Sequence, residues 1–337
     1  MGRYAGNQNV TSFKYESGTY ANVSGSVQWI GLVQNFTSDD TENVQEIRYH
    51  GTNSRSVAKS LPGAENFGGT IDFYPQDMRF LFFGLGNGSD SGTGSPAYYS
   101  HVVTELNSAT QSPVVSGTRN PFTSFSIESI QQFNPTGLNF IRTYIGCNVE
   151  KFSLSKRDNS LPLMCSFTFI AQTRTFNSGA GYAAPTENTD MPYLPYMALV
   201  HVPSGTMLDY KTFDFSFTNK MDRDNAHVGN GSRVIVPPVA TERDYTFTFT
   251  VDGDSSQAAR LYGLYVSGGL TSVNAAIQLN KFGNTASGVS FITMSGCDIV
   301  GFDAPNPIEG VNEWSLTLTP HVVDGLMQDD VVKYLPW

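Results

Sequence analysis

The feature that most constrains this chain is that it repeats itself. Tyr144-Ile145-Gly146-Cys147-Asn148-Val149 returns 150 positions later as Met294-Ser295-Gly296-Cys297-Asp298-Ile299, and the two runs lead to Phe152 and Phe302. The same offset pairs Ile127 with Ile277 and Thr143 with Thr293. Upstream, Phe67-Gly68-Gly69-Thr70-Ile71-Asp72-Phe73 precedes a stretch ending Phe82-Phe83-Gly84-Leu85, and Tyr245-Thr246-Phe247-Thr248-Phe249-Thr250-Val251 precedes one ending Leu261-Tyr262-Gly263-Leu264. Segments that recur in the same order point to a duplicated structural unit.

The offsets are unequal. Gly84 and Gly263 lie 179 apart and the cysteines 150 apart, so the first copy carries 29 more residues after its helix, within the Gly/Ser/Pro-rich span 87–121. Gly, Ala, Pro, Thr and Asn without periodicity mark a linker at 176–195. The expected organisation is an N-terminal arm (1–11), a first domain (12–175) with its inserted loop at 87–121, the linker, a second domain (196–324) and a C-terminal arm (325–337).

Period-two alternation dominates both copies, and the segment from Tyr245 to Val251 is the cleanest case, with an aromatic face and a threonine face. One short helix per copy is predicted, at 76–85 behind Pro75 and at 255–266 behind Asp254. Ala259, Tyr262 and Val266 form the apolar stripe expected to cover a sheet. The fold class is therefore all-β with one short helix per domain, as two tandem β-sandwich or half-barrel domains.

Composition narrows the function. Aromatic residues are 12% of the chain and charged residues only 15%, with a net charge of -10. Phosphate binding needs clustered Lys and Arg, so tight nucleic-acid binding is excluded, while an acidic wall past which DNA slides is allowed. No apolar run is long enough to span a membrane as a helix, and Met1-Gly2-Arg3-Tyr4 opens no secretory signal, so the mature chain is expected to begin near its N-terminus. Cys147, Cys165 and Cys297 are too few and too far apart for a disulfide framework or a zinc site and are read as buried thiols. The five histidines are scattered, and no Gly-x-Ser-x-Gly elbow occurs. Gly84, Gly86 and Gly88 follow a helix instead of preceding one, which suits a C-cap and a loop and not a phosphate cradle. The chain is read as non-enzymatic, with no cofactor or metal.

The order of a Gly-flanked strand at 68–73, a short helix, the Gly-Cys-(Asn/Asp)-(Val/Ile) strand and a closing strand resembles the domain of tailed-virus (bacteriophage or archaeal virus) major tail tube proteins. That resemblance implies a β-sandwich flanked by a helix, with six domains per ring joining their inner sheets into a barrel that carries DNA. Two domains per chain then imply trimers giving pseudo-hexameric rings, assembled in the host cytoplasm into a virion tail. Tape-measure, baseplate and tail-terminator proteins are the partners it implies, with transient DNA passage and no membrane.

Pairing the copies makes Thr70, Asp72, Thr248 and Thr250 the candidate lumen residues, with an ordinary solvent face as the competing reading. Candidate contacts between rings are Asp39, Asp40, Asp222 and Asp224 in loops and Leu335 and Trp337 in the terminal arm, whose end suits docking on its own domain equally well. A surface adhesin or glycan-binding protein of tandem β-sandwiches is the alternative reading.

Overall fold

A computed structural model describes residues 9–16, 21, 23, 25–47, 59–91, 99–106, 124–133, 138–178, 184–221, 240–253, 255–266, 273–281, 289–305 and 312–329. The first part of the chain forms β1 (Asn9–Tyr15), β2 (Gln28–Trp29), β3 (Leu32–Ser38), β4 (Thr41–Ile47), β5 (Lys59–Tyr74), α1 (Arg79–Leu85), β6 (Gly86–Ser91), β7 (Tyr99–Glu105), β8 (Phe125–Phe133), β9 (Leu138–Lys156), β10 (Met164–Ala171) and β11 (Thr173–Ser178). The second forms β12 (Ala198–His201), β13 (Met207–Leu208), β14 (Tyr210–Met221), β15 (Ala240–Asp252), α2 (Ser256–Val266), β16 (Val273–Asn280), β17 (Val289–Asp303), β18 (Glu313–Thr319) and β19 (Val322–Asp329). The fold is all-β and antiparallel throughout, with two helices among the described residues. The strand at β1 begins inside the span read as an arm, and β19 runs past position 324.

One pairing pattern occurs in each part. The outer sheet of the first runs β2–β1–β8–β9–β11, and the second has β13–β12–β16–β17–β19. The long strands β9 and β17 each leave the outer sheet half-way and enter an inner one, where they pair with β10 and β18. Gly146 and Gly296 stand at these corners with φ of 71° and 63°, a left-handed conformation in which a side chain would be strained. Each corner amide donates to a side-chain oxygen, Gly146 to Glu16 at 2.7 Å and Gly296 to Asn274 at 3.0 Å. The thiols of Cys147 and Cys297 donate to the carbonyls of Tyr144 and Met294. The Gly-Cys motif is thus the hinge by which one strand serves two sheets.

Ladder registers refine the correspondence. Thr70 pairs with Thr168 and Thr248 with Thr317, and Asp72 pairs with Ser166 as Thr250 does with Ser315. Ile127, however, lies opposite Tyr144, and the residue opposite Met294 is Ala275, not Ile277. The 150 offset shared by Ile127 and Ile277 therefore does not mark equivalent positions, because the chain turns from β8 to β9 within a shorter span than from β16 to β17, 17 positions from Ile127 to Tyr144 against 19 from Ala275 to Met294.

Alternating apolar residues from inner and outer sheets meet in one continuous core that runs through both parts. Phe73, Phe80, Phe125 and Phe167 form its aromatic centre, where Phe80 and Phe167 stack at 4.3 Å. Burying each ring stabilises by about 1.5–3 kcal/mol.

Three expectations are corrected. Part of the span 87–121 is a hairpin, β6–β7, and β7 pairs with β19, so this insertion extends the outer sheet of the other half of the chain. A free edge at β19 accepts any strand backbone, which the Gly/Ser content did not reveal. The linker is packed: Tyr193 is fully buried, Leu163 donates to the Tyr193 carbonyl at 2.8 Å, and Lys281 holds Asp190 at 2.7 Å. On α2, Ala258 and Leu261 face the core, and Ala259, Tyr262 and Val266 are exposed. The Ser255 hydroxyl, accepting the Ala258 amide at 3.1 Å, sets that rotation.

Candidate functional site

The inner strands join into a single run, β3–β5–β10–β9–β14–β15–β18–β17. Its centre is the β9–β14 ladder, from Lys151 opposite Thr218 to Lys156 opposite Phe213. Strict alternation makes its two faces opposites. Ile71, Phe73, Phe152, Phe167, Phe215, Phe247 and Leu316 are buried on one. Thr, Ser, Asn, Asp and Lys occupy the other, because cross-strand partners share a face.

Hydroxyls and carboxylates of the polar face satisfy one another across the strands. Thr70 and Thr168 share a hydrogen bond of 3.0 Å, Thr212 and Thr250 one of 2.7 Å, and Thr248 and Thr317 one of 3.1 Å. Ser166 donates to Asp72 at 2.6 Å and Asn35 to the other Asp72 oxygen at 3.4 Å. Toward the ends of the sheet, Lys220 bridges Glu242 and Asp244 at 2.8 and 2.9 Å, and Lys211 meets Glu313 at 2.8 Å. Partial burial raises the Asp214 carboxyl above the usual range, and Arg157 opposes that shift. Carboxylates of this face, including Asp72, Asp214, Glu242, Asp244 and Glu313, outnumber its ammonium groups.

The four candidate lumen residues, Thr70, Asp72, Thr248 and Thr250, all lie on this face. Asp40 is engaged within the chain, accepting from Arg174 at 2.6 Å and from the Tyr144 hydroxyl at 3.1 Å, and the Asp39 amide donates to the Gly68 carbonyl. Asp222, Asp224, Leu335 and Trp337 lie outside the described residues. The continuity through β9 and β14 was missed in the sequence. Lys151-Phe152-Ser153-Leu154-Ser155-Lys156 alternates and signals a strand, but alternation does not name its partner.

Among the described residues no group of three or more His, Cys, Asp or Glu could hold a metal ion. All three cysteines are free and buried. Burial, above all, pushes the Cys147 and Cys165 thiols far up, so neither is a nucleophile. The polar face is a surface of paired hydroxyls with an acidic excess.

A family model described as phage tail tube protein matches residues 11–319. The chain belongs to the phage tail tube protein family. As a tail tube protein it is a structural component of the virion tail that self-assembles into a tube. A search of curated proteins returned no match. The tail tube protein's matched span begins in β1 and ends with β18, so it takes in the whole inner sheet.

Proposed function

We propose that the chain is two tandem tube domains and that three chains close into a pseudo-hexameric ring, with their polar sheet faces lining a bore for viral DNA. The observation that carries this reading is one eight-stranded sheet with a polar face and two open ends. Among the described residues β3 pairs only with β5, and residues 301–303 of β17 pair only with β18. Joining β17 of one chain to β3 of the next removes both edges. At about 4.8 Å per strand and a tilt near 40°, twenty-four strands make a barrel roughly 45–50 Å across its backbone. That bore admits a duplex without contact.

The chemistry of the wall suits passage. Hydroxyls already bonded across strands offer few donors to phosphate, and an acidic excess repels it, so DNA moves without being held. Stacking of rings would then present axial surfaces to tape-measure, baseplate and terminator proteins in the host cytoplasm. The chain's role in this reading is architectural, with no reaction. The glycan-binding alternative is weakened because most aromatic rings among the described residues are in the core.

Electron microscopy of the purified protein tests the proposal. Hollow tubes whose rings show three-fold symmetry and six similar lobes are expected; six identical chains per ring, or a wall lined by Lys and Arg, would overturn it.

A further inference from the structure

The outer sheets of the two parts reach corresponding strands, β11 and β19, and only one of these carries a further strand. Ile145 and Ser295 are matched members of the recurring motif, and Thr173 pairs with the first as Val322 does with the second. The same register makes Arg174 the counterpart of Val323 and Phe176 the counterpart of Gly325. On the far side of β19 lies β7, with Val103 opposite Gly325 and Val102 opposite Leu326. Among the described residues β11 pairs with β9 alone.

The chain has one hairpin for two such edges. Residues 86–124, between α1 and β8, contain β6 and β7, whereas only 267–272 separate α2 from β16, too few for two strands and their turn. Residues 175–178 of β11 are all exposed. Phe176 is 54% exposed, and its ring meets Phe140 at 4.1 Å. Proteins blunt a free strand edge with charge, proline or a covering element, so an edge bearing a large exposed ring is one that a partner uses.

The strand β7 shows what such an edge takes. It runs antiparallel to β19 and buries Val103 beside Gly325. Two positions on it presents Glu105, whose carboxylate accepts the Val323 amide at 3.0 Å and the Tyr245 hydroxyl. On β11 the counterpart of Gly325 is the apolar ring of Phe176, and the counterpart of Val323 is the cation Arg174, which holds Asp40 at 2.6 Å. Arg142, the cross-strand neighbour of Phe176, adds a second guanidinium. It donates to the Ser38 hydroxyl at 3.3 Å and stands 5.4 Å over the Phe140 ring, and no carboxylate among the described residues pairs with it. The edge is thus aromatic and basic in a chain of net charge -10.

We propose that the outer edge of β11 is a docking site for an extended segment of a different protein, added antiparallel as β7 is added to β19, with an apolar residue on Phe176 and an Asp or Glu two positions later facing Arg142 and Arg174. Main-chain hydrogen bonds give an added strand its hold, and its alternate side chains give selectivity. The chain's own hairpin of this kind is already seated on β19. Two β11 edges placed together would set Arg142 and Arg174 of both copies side by side, which like charges oppose. The site belongs to the single chain and does not depend on the ring reading; in a ring of three chains it would recur three times.

The probe is a synthetic peptide of residues 99–106, which carries Val103 and Glu105 in the required spacing. Added to the full chain, it is expected to bind saturably by calorimetry and to slow amide hydrogen exchange at 173–178. Phe176→Lys in the protein, or Glu105→Lys in the peptide, is expected to weaken binding at least about 10-fold, while Leu161→Lys, at an exposed site elsewhere, leaves it unchanged. Thermal melts establish that the variant proteins fold, and the altered peptide carries the test on the unaltered chain should Phe176→Lys unfold. A peptide that fails to bind, that binds equally well with Glu105→Lys, or that protects β19 in place of β11 overturns the proposal. So does self-association of wild type, without peptide, through a contact that Phe176→Lys abolishes, since the occupant would then be a second copy.

Discussion

The helices α1 and α2 come after corresponding strands, yet one is inside the molecule and the other is half outside it. The first, Arg79–Leu85, is buried on every side, between the rings of Phe13 and Phe125 and the second part's Phe217. The second, Ser256–Val266, buries only Ala258 and Leu261. The difference lies in the neighbour: β14 comes back along the chain to cover α1, and no later strand among the described residues covers the outer side of α2. Burial of an equivalent element depends on the chain beyond it, and for α1 the covalently linked second part supplies the cover.

The largest test of that contrast is the ring across the covered seam. Phe217→Ala should cost about 3–5 kcal/mol, since it leaves a cavity between Phe152 and Gly84, whereas Phe302→Ala should cost less than half as much in the isolated chain. Urea denaturation of the two variants reads the difference, and equal losses would mean that the seams are equally filled. Next comes Asn219→Ala, which removes a buried donor to the carbonyls of Val149 and Gly84, the latter keeping only Arg243, and takes from Arg243 its Asn219 acceptor, at an expected cost of about 1–3 kcal/mol by the same assay.

The glycines should respond with opposite signs. A Cβ at Gly84 lands on the Phe217 ring, so Gly84→Ala should destabilise by about 1–3 kcal/mol. Gly263 faces open space within a helix, so Gly263→Ala should stabilise the isolated chain by roughly 0.5–1 kcal/mol. Two thermal melts suffice, and shifts of the same sign would break the comparison.

The smallest effect belongs to the hairpin that ties the two parts together. His101 of β7 lies between Asp90 at 2.7 Å and Asp329 of β19 at 3.3 Å. Burial favours its neutral form, but the two carboxylates outweigh that and raise its pKa above the ordinary value. Its contribution is complete below the unfolded pKa near 6.5 and is lost as pH rises through the higher folded value. Stability measured from pH 6 upward should therefore fall more in wild type than in His101→Gln; parallel profiles would remove His101 from the clasp.

Much of this was legible in the residues. Threonine and aspartate alternating with aromatics at Thr70, Asp72, Thr248 and Thr250 placed all four on one polar face, because a strand turns successive side chains to opposite sides whatever it packs against. Gly146 and Gly296 were recognised as matching positions of a recurring motif, and the structure makes them corners, since few other residues tolerate a left-handed turn in a strand. The rotation of α2 was misread by one position, because Ala258 and Leu261 make as good a stripe as Ala259 and Tyr262 until the capping hydroxyl of Ser255 fixes the turn. The span 87–121 was read as a loop, since β6 is built of Gly, Asn, Ser and Asp, weak strand formers that the edge of β19 orders through β7.

By itself, then, the sequence determined which side of each strand is wet and which motif recurs. Only the tertiary structure decided that β9 meets β14, that β7 crosses to β19 and that α1 is enclosed while α2 is not. The division has one cause. Side-chain alternation is a local property of each strand, whereas a strand edge is a row of identical amide and carbonyl groups that will pair with any other edge brought within reach, so the choice of partner rests with the packing of the whole chain.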